Sequence, residues 1–291
     1  MIECLTSELQ GVRNLMNYVT YIVYGDNDGY FIGARFSILT LLAHNASVVQ
    51  VIILTDRPSF FSDLPATVLD LSVAQQRQWS LDGRYHFRIK NRGLAFVLEA
   101  LNLDDSDKII AVDTDAYFVS RISELFERMN PTSSTIFKNE GTIRKKKRFK
   151  VFKDALDGKT FKIAPNKVYR LSPNAEMWGT LLWGFQVSNK TLLNAADDIM
   201  LCLLDIVDAH TIEPFALTEA IKADHDLFES RQYVKNYSTS GKKRYALGVL
   251  RAFFDDFGDA PIEKQIEASK RVNLSRNFFQ LIKSRYERYT Q

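Results

Sequence analysis

Two carboxylates separated by one residue, Asp113 and Asp115, close the apolar run KIIAVDTDAYF. In an extended chain alternate side chains share a face, so this spacing predicts both aspartates on one side and Thr114 on the other. A pair of oxygen ligands at a strand end, with positions left open for substrate, suits Mg²⁺ or Mn²⁺ bridging phosphate oxygens; zinc prefers nitrogen or sulfur. A cation there would act as a Lewis acid, stabilising charge on a departing phosphate group. The stretch RYHFRIKNRG carries Arg84, Arg88, Lys90 and Arg92, cations of the kind that pair with phosphate, Arg bidentately. A solvated basic face is the competing reading of that stretch.

These residues need a scaffold, and the hydrophobic pattern supplies one. YVTYIVY (18–24) reads as a strand ending at Gly-Asp-Asn-Asp-Gly, followed by a helix with apolar positions at Phe31, Phe36, Leu39 and Leu42. VVQVIILTDRP and ATVLDLS read as further strands, RGLAFVLEALN (92–102) as a helix, and KIIAVDTDAYF as one strand running into the carboxylates. Strands alternating with helices imply an α/β fold with a mostly parallel sheet, ligands binding at the carboxyl ends of its strands. Further on, MWGTLLWGFQV reads as a core strand and TLLNAADDIMLCLLDIVDA as an amphipathic helix. Pro261 opens a run with Ile262, Ile266, Leu274, Phe278 and Ile282 at helical intervals.

The 291 residues, 46% hydrophobic and 25% charged, suffice for one large α/β domain or two small ones. A formal charge of +3 gives no argument for nucleic acid, because the basic excess is local: it gathers between Phe137 and Arg170, read as a mobile or hairpin-like insertion. Cys4 and Cys202 make neither a disulfide framework nor a zinc site of the usual spacing, which suits a reducing compartment. No signal-peptide pattern and no run of about 18 apolar residues is present, so the expected location is cytoplasmic. Phe278, Phe279, Leu281 and Ile282 beside Arg276, Lys283, Arg285 and Arg288 fit an interfacial helix, giving peripheral contact with the inner face of a membrane; docking on the protein's own core fits the same pattern.

YIVYGDNDGYFIGARFSILTLLAHN followed by KIIAVDTDAYFVSRISELFER resembles the glycogenin-like, family-eight glycosyltransferases of the GT-A fold. The resemblance covers roughly the first half of the chain. It rests on Asn27, Asp28 and Tyr30 after the first strand, Asp113 and Asp115 after a later one, and Ile122, Leu125 and Phe126 beyond. It implies transfer of a sugar from a nucleotide-sugar, with a UDP-sugar the first donor to consider, to a glycan or lipid-linked acceptor, with retention of configuration. Tyr24, Asn27, Asp28 and Tyr30 would then meet the base and ribose, Asp113 the ribose and metal, and Asp115 the metal. Arg88 or Lys90 would reach the donor's phosphates or sugar.

The second half departs from that family, which completes its metal site with a late histidine, whereas no histidine follows His225. Aligning NYSTSGKKRY puts Ser238 in that place as a weak third ligand and leaves Lys243 and Arg244 to grip the diphosphate. His210 and His225 are alternative ligands, and Glu213 matches weakly the family's acidic residue on the acceptor side. An inverting course would need a general base near the acceptor, and Glu176, Glu213, Asp205 and Asp208 cannot be ranked for it by spacing; Trp178 and Trp183 suit either sugar stacking or the core. The expected organisation is a single domain over 1–291. It has a donor half at 17–130, an acceptor half at 131–250 with the basic insertion at 138–170, and a helical segment at 251–291. A phosphatase of the haloacid-dehalogenase type also places Asp-x-Asp after an apolar strand, and a module that binds a nucleotide-sugar without transferring it would lack the late histidine. These are the alternatives.

Overall fold

A computed structural model describes residues 16–164 and 167–275. The first half alternates β1 (Asn17–Val23), α1 (Asp28–Asn45), β2 (Gln50–Thr55), β3 (Ala66–Asp70), α2 (Val73–Trp79), α3 (Arg88–Ala100) and β4 (Lys108–Val112). Next come β5 (Ala116–Phe118), α4 (Ser123–Arg128), β6 (Ser133–Thr142), α5 (Lys150–Leu156), and the hairpin of β7 (Thr160–Ala164) and β8 (Lys167–Arg170). The chain continues through β9 (Glu176–Gln186), α6 (Leu192–Leu203), α7 (Ile212–Lys222), β10 (Asp226–Glu229), β11 (Val234–Asn236), α8 (Ser240–Phe257) and α9 (Ile262–Ser269). Seven strands form one sheet in the order β10-β6-β9-β4-β1-β2-β3, with β9 antiparallel to both its neighbours and the other pairs parallel. The expected mostly parallel α/β sheet is therefore present.

Each face of the sheet carries its own core. Helices α3, α6 and α7 cover one face, burying Leu94, Val97, Leu193, Met200 and Phe215 among others; α1, α8 and α9 cover the other. Helix α1 is buried almost all round, because β5 and α9 close over the side that faces away from the sheet. Its Arg35 is carried into that interior by a two-pronged pair with Asp63 at 2.7 and 2.5 Å and a bond to Gln265 of α9 at 3.2 Å. The buried arginine is tolerable because its two terminal nitrogens find acceptors in Asp63, the Phe60 carbonyl and Gln265, and the Asp63 carboxylate remains half exposed to water.

Two sequence expectations change. The strand through the carboxylates stops at Val112: Asp113, Thr114 and Asp115 form a turn, with Ala116 N–H donating to the Asp113 carbonyl at 3.1 Å, and β5 pairs with β11 in a separate sheet. The argument from side-chain alternation therefore fails, since a turn rather than a pleat aims these residues. The helix expected from Arg92 begins at Arg88. Within the basic stretch, residues 138–142 belong to core strand β6, and α5 buries Phe152, stacked 4.7 Å from Phe215, so apolar anchors fix part of it to the body. The proposed interfacial helix at 276–291 lies outside the described residues; up to 275, Leu274 is buried. No helix among the described residues is long and apolar enough to cross a membrane.

Candidate functional site

A cavity of about 570 Å³ opens at the carboxyl ends of β1 and β4. Asp113, Thr114 and Asp115 line one side, Tyr24 and Tyr30 another, and Lys90 and Lys243 reach in from the first turns of α3 and α8. The Lys90 ammonium contacts the Asp113 carboxylate. Burial alone would lower the Lys90 pKa, but Asp113, Glu213 and Asp115 around it more than compensate, so the net shift is upward and the lysine is fully charged. Lys243 Nζ lies 4.8 Å from the centre of the Tyr30 ring, a cation–π distance. The Tyr24 hydroxyl donates to the His86 carbonyl at 2.9 Å, and burial pushes its phenol up to about 12.

The acidic turn is held from below. Asp113 N–H donates to the Leu181 carbonyl at 2.9 Å, and the Tyr237 hydroxyl donates to the Thr114 carbonyl at 3.3 Å. Gly33 of α1 lies against the same turn, and a Cβ there would meet the Thr114 carbonyl oxygen at 2.4 Å and the Tyr237 hydroxyl at 2.7 Å. Gly33→Ala should therefore push the carboxylates out of place, costing about 1–3 kcal/mol of stability and most of any activity that depends on them. Thermal unfolding combined with a donor-binding titration checks both.

Two carboxylates so close strain each other. Asp115 is shifted above the usual carboxylate range, chiefly by burial and next by the charge of Asp113. A cation would relieve this, and the oxygen-only set suits Mg²⁺ or Mn²⁺. Among the described residues no group of three or more His, Cys, Asp or Glu gathers to hold a metal, so the remaining coordination would come from phosphate and water.

Of the other nominated residues only Trp183 lines the cavity. Asn27 caps α1, its side chain accepting from Gly29 N–H at 3.0 Å, and Asp28 pairs with Arg57 at 2.6 Å on the surface. Ser238 is exposed and accepts from Asn236 at 3.2 Å; Arg244 is exposed on α8. Arg88 points to Asp197 of α6, with bonds of 2.6 and 2.7 Å. Arg84 pairs with Asp205, and Arg92 lies 3.8 Å from Asp197. The Tyr85 hydroxyl donates to the His210 carbonyl, and His225 bonds Ser134 at 2.7 Å. Glu176 pairs with Lys222 at 2.6 Å and takes the Trp178 indole N–H at 3.2 Å, whereas Trp183 does reach the cavity wall.

Glu213 at the start of α7 is buried behind Lys90, and Thr180 donates to it at 3.2 Å. Its carboxyl is pushed from an ordinary 4.5 to about 7, first by burial; Lys90 opposes the shift and Asp113 adds to it. A folded pKa above the unfolded one means that the fold keeps a proton the unfolded chain gives up, so stability falls as pH rises from 4.5 to about 7. Glu213→Gln should remove a loss on the order of 3 kcal/mol over that window. Denaturant melts of both proteins at pH 5 and pH 8 measure the difference.

No protein-family model matches the sequence, and no curated protein matches it. Solved structures do. The galactosyltransferase LgtC, determined with donor and acceptor sugar analogues, is similar over 90% of this chain and 98% of its own, at 9% identity and a TM-score of 0.53. The chain has the GT-A glycosyltransferase fold. Mouse xyloside xylosyltransferase 1 is similar over 74% of this chain and 85% of its own, at 12% identity and a TM-score of 0.44. The bifunctional glycosyltransferase WbbM matches 76% of this chain at 12% identity and a TM-score of 0.46, and the match spans 40% of WbbM. The cavity occupies the carboxyl edge of the parallel strands, where open α/β sheets bind ligands.

Proposed function

We propose that this chain transfers a sugar from a UDP-sugar to a glycan or lipid-linked glycan, with the diphosphate bound at the mouth of the cavity. The observation that carries the reading is the convergence of Asp113, Asp115, Lys90 and Lys243 on one cavity at the strand ends. The resemblance of the first half to the glycogenin-like family supports it. Tyr24 and Tyr30 offer rings to the base and ribose, and Lys243 neutralises phosphate charge beside Tyr30. Lys90 bridges Asp113 and the donor, held charged by the acidic groups around it. Asp113 and Asp115 would hold Mn²⁺ or Mg²⁺, which when bound would supply Lewis-acid stabilisation of the departing diphosphate. Retention then follows a front-face course, in which the leaving phosphate takes the acceptor's proton and no further side chain serves as nucleophile.

A thermal-shift screen of UDP and UDP-sugars with and without Mn²⁺, paired with an assay for released UDP, tests this. A donor at a hundredfold excess over its Kd should stabilise the fold by about 2.7 kcal/mol, and turnover should need the metal. Phosphate release from simple phosphoesters, without UDP release, would support the phosphatase instead. Binding without turnover would leave a donor-binding module.

A further inference from the structure

The basic surplus of this chain is concentrated in one place. Between residues 138 and 159 stand nine Lys or Arg against three Asp or Glu, although the whole chain carries a formal charge of only +3, so the remainder is net negative. A general need for solubility would mix the two signs over the surface; confinement of the excess to one segment builds a local positive potential.

The fold fixes this segment on the edge of the sheet where the cavity opens. Strands β4 and β6 both run antiparallel to β9, so their carboxyl ends lie at the same edge. Strand β4 stops at Val112, whereas residues 176–180 of β9 continue past it paired with β6, by roughly 15 Å at the usual rise per residue. The basic residues follow from the tip of that two-stranded arm. Ile143, Phe149, Phe152 and Leu156 turn inward and join the core on the face covered by α3 and α7. Phe152 stacks on Phe215 of α7, two residues from the buried Glu213.

With the apolar side chains used as anchors, Lys145, Lys146, Lys147, Arg148, Lys150 and Lys153 are left exposed. Arg148 and Lys150 have acidic partners in Glu140 and Asp154, but no ion pair among the described residues involves Lys145, Lys146, Lys147 or Lys153. These cations are strung from Lys145 through a 3₁₀ turn (Lys147–Phe149) into α5 rather than gathered round a hollow. Such a row suits a chain bearing repeated negative groups, which it can grip at several points at once, better than one small anion. A lipid surface fits less well: Val151 is the one large apolar side chain this segment exposes among the described residues, and an interfacial helix needs an apolar face.

Resting on the transferase reading above, we propose that the acceptor is a polyanionic glycan, whose repeated phosphate or carboxylate groups lie along the ridge from Lys145 to Lys153 while its end enters the cavity mouth.

Calorimetric titration of the full chain, with UDP and Mn²⁺ present, compares a phosphodiester-linked oligosaccharide, an oligogalacturonate and a neutral maltooligosaccharide of equal length. At least one anionic oligomer should bind tenfold or more tightly than the neutral one, and the advantage should shrink at high salt. Lysine acetylation read by mass spectrometry should show the bound oligomer protecting Lys145, Lys146, Lys147 and Lys153 but not Lys190 or Lys264, which are also exposed. Replacing Lys145, Lys146 and Lys147 together by Gln should weaken binding of the anionic oligomer at least tenfold and leave UDP affinity and melting temperature unchanged. If no oligomer is preferred for its charge, if protection spreads over all exposed lysines, or if the triple variant keeps full affinity, the ridge assignment falls while UDP binding and release still support the transferase. Binding to phosphatidylglycerol vesicles without binding to either anionic oligomer overturns the assignment in favour of a membrane surface. If UDP neither binds nor is released from any donor, the transferase reading falls and the acceptor assignment falls with it.

Discussion

Replacing Asp115 by Asn should lower turnover by roughly 100- to 1000-fold, the usual cost of removing one preorganised electrostatic group from an active site. The melting temperature should hold or rise. Both effects have one cause: the Asp115 carboxyl sits above its ordinary range, chiefly because it is buried and next because Asp113 repels it. The fold bears a cost for keeping it ionised, and a neutral amide of the same shape removes that cost. Because the folded pKa is raised, the stability gain should appear only above the ordinary carboxylate range and vanish in acid, where both proteins are neutral at this position. Release of UDP from the donor and thermal melts at two pH values measure the two halves of the prediction. Wild-type kinetics in the variant would remove Asp115 from the site. A large fall in melting temperature would show instead that the carboxylate is structural.

Arg88→Ala should have the largest effect on stability, a loss of about 3–5 kcal/mol, as expected when one partner of a buried ion pair is removed. The guanidinium and the Asp197 carboxylate are only 11% and 10% exposed, joined by bonds of 2.6 and 2.7 Å, and Arg88 also donates to the Trp79 carbonyl at 3.1 Å. The truncated variant leaves Asp197 charged, with Arg92 at 3.8 Å as its remaining ion-pair partner. Arg88→Lys should rescue little, since an ammonium cannot reproduce the two parallel bonds. Chemical denaturation measures the loss, and donor titration under conditions where the variant remains folded should show affinity close to wild type. A stable Arg88→Ala protein that no longer binds donor would return Arg88 to the cavity.

Arg88 and Lys90 mark the boundary of what local sequence specifies. Both belong to one basic run, and nothing in their spacing from the carboxylates distinguishes them. Once α3 begins at Arg88 rather than Arg92, the two residues are separated by two steps of about 100° around the helix, and they diverge: Lys90 enters the cavity and Arg88 crosses to α6. The helical phase is a local property, but which neighbour each residue meets is set by how α3 packs against β1 and α6.

The sequence by itself determined the alternation of strands and helices, the acidic pair at the end of an apolar strand, and the tyrosines after β1, because periodicity, turn residues and charge placement act over a few neighbours. Tertiary structure alone decided that the aspartates sit on a turn, held by Leu181 and Tyr237 from the second half. It also brought Lys243 and Glu213 to within electrostatic reach of residues around 90 and 113. Those outcomes depend on which face of each element meets which neighbour across the sheet, and that is fixed by the joint packing of segments far apart in the chain.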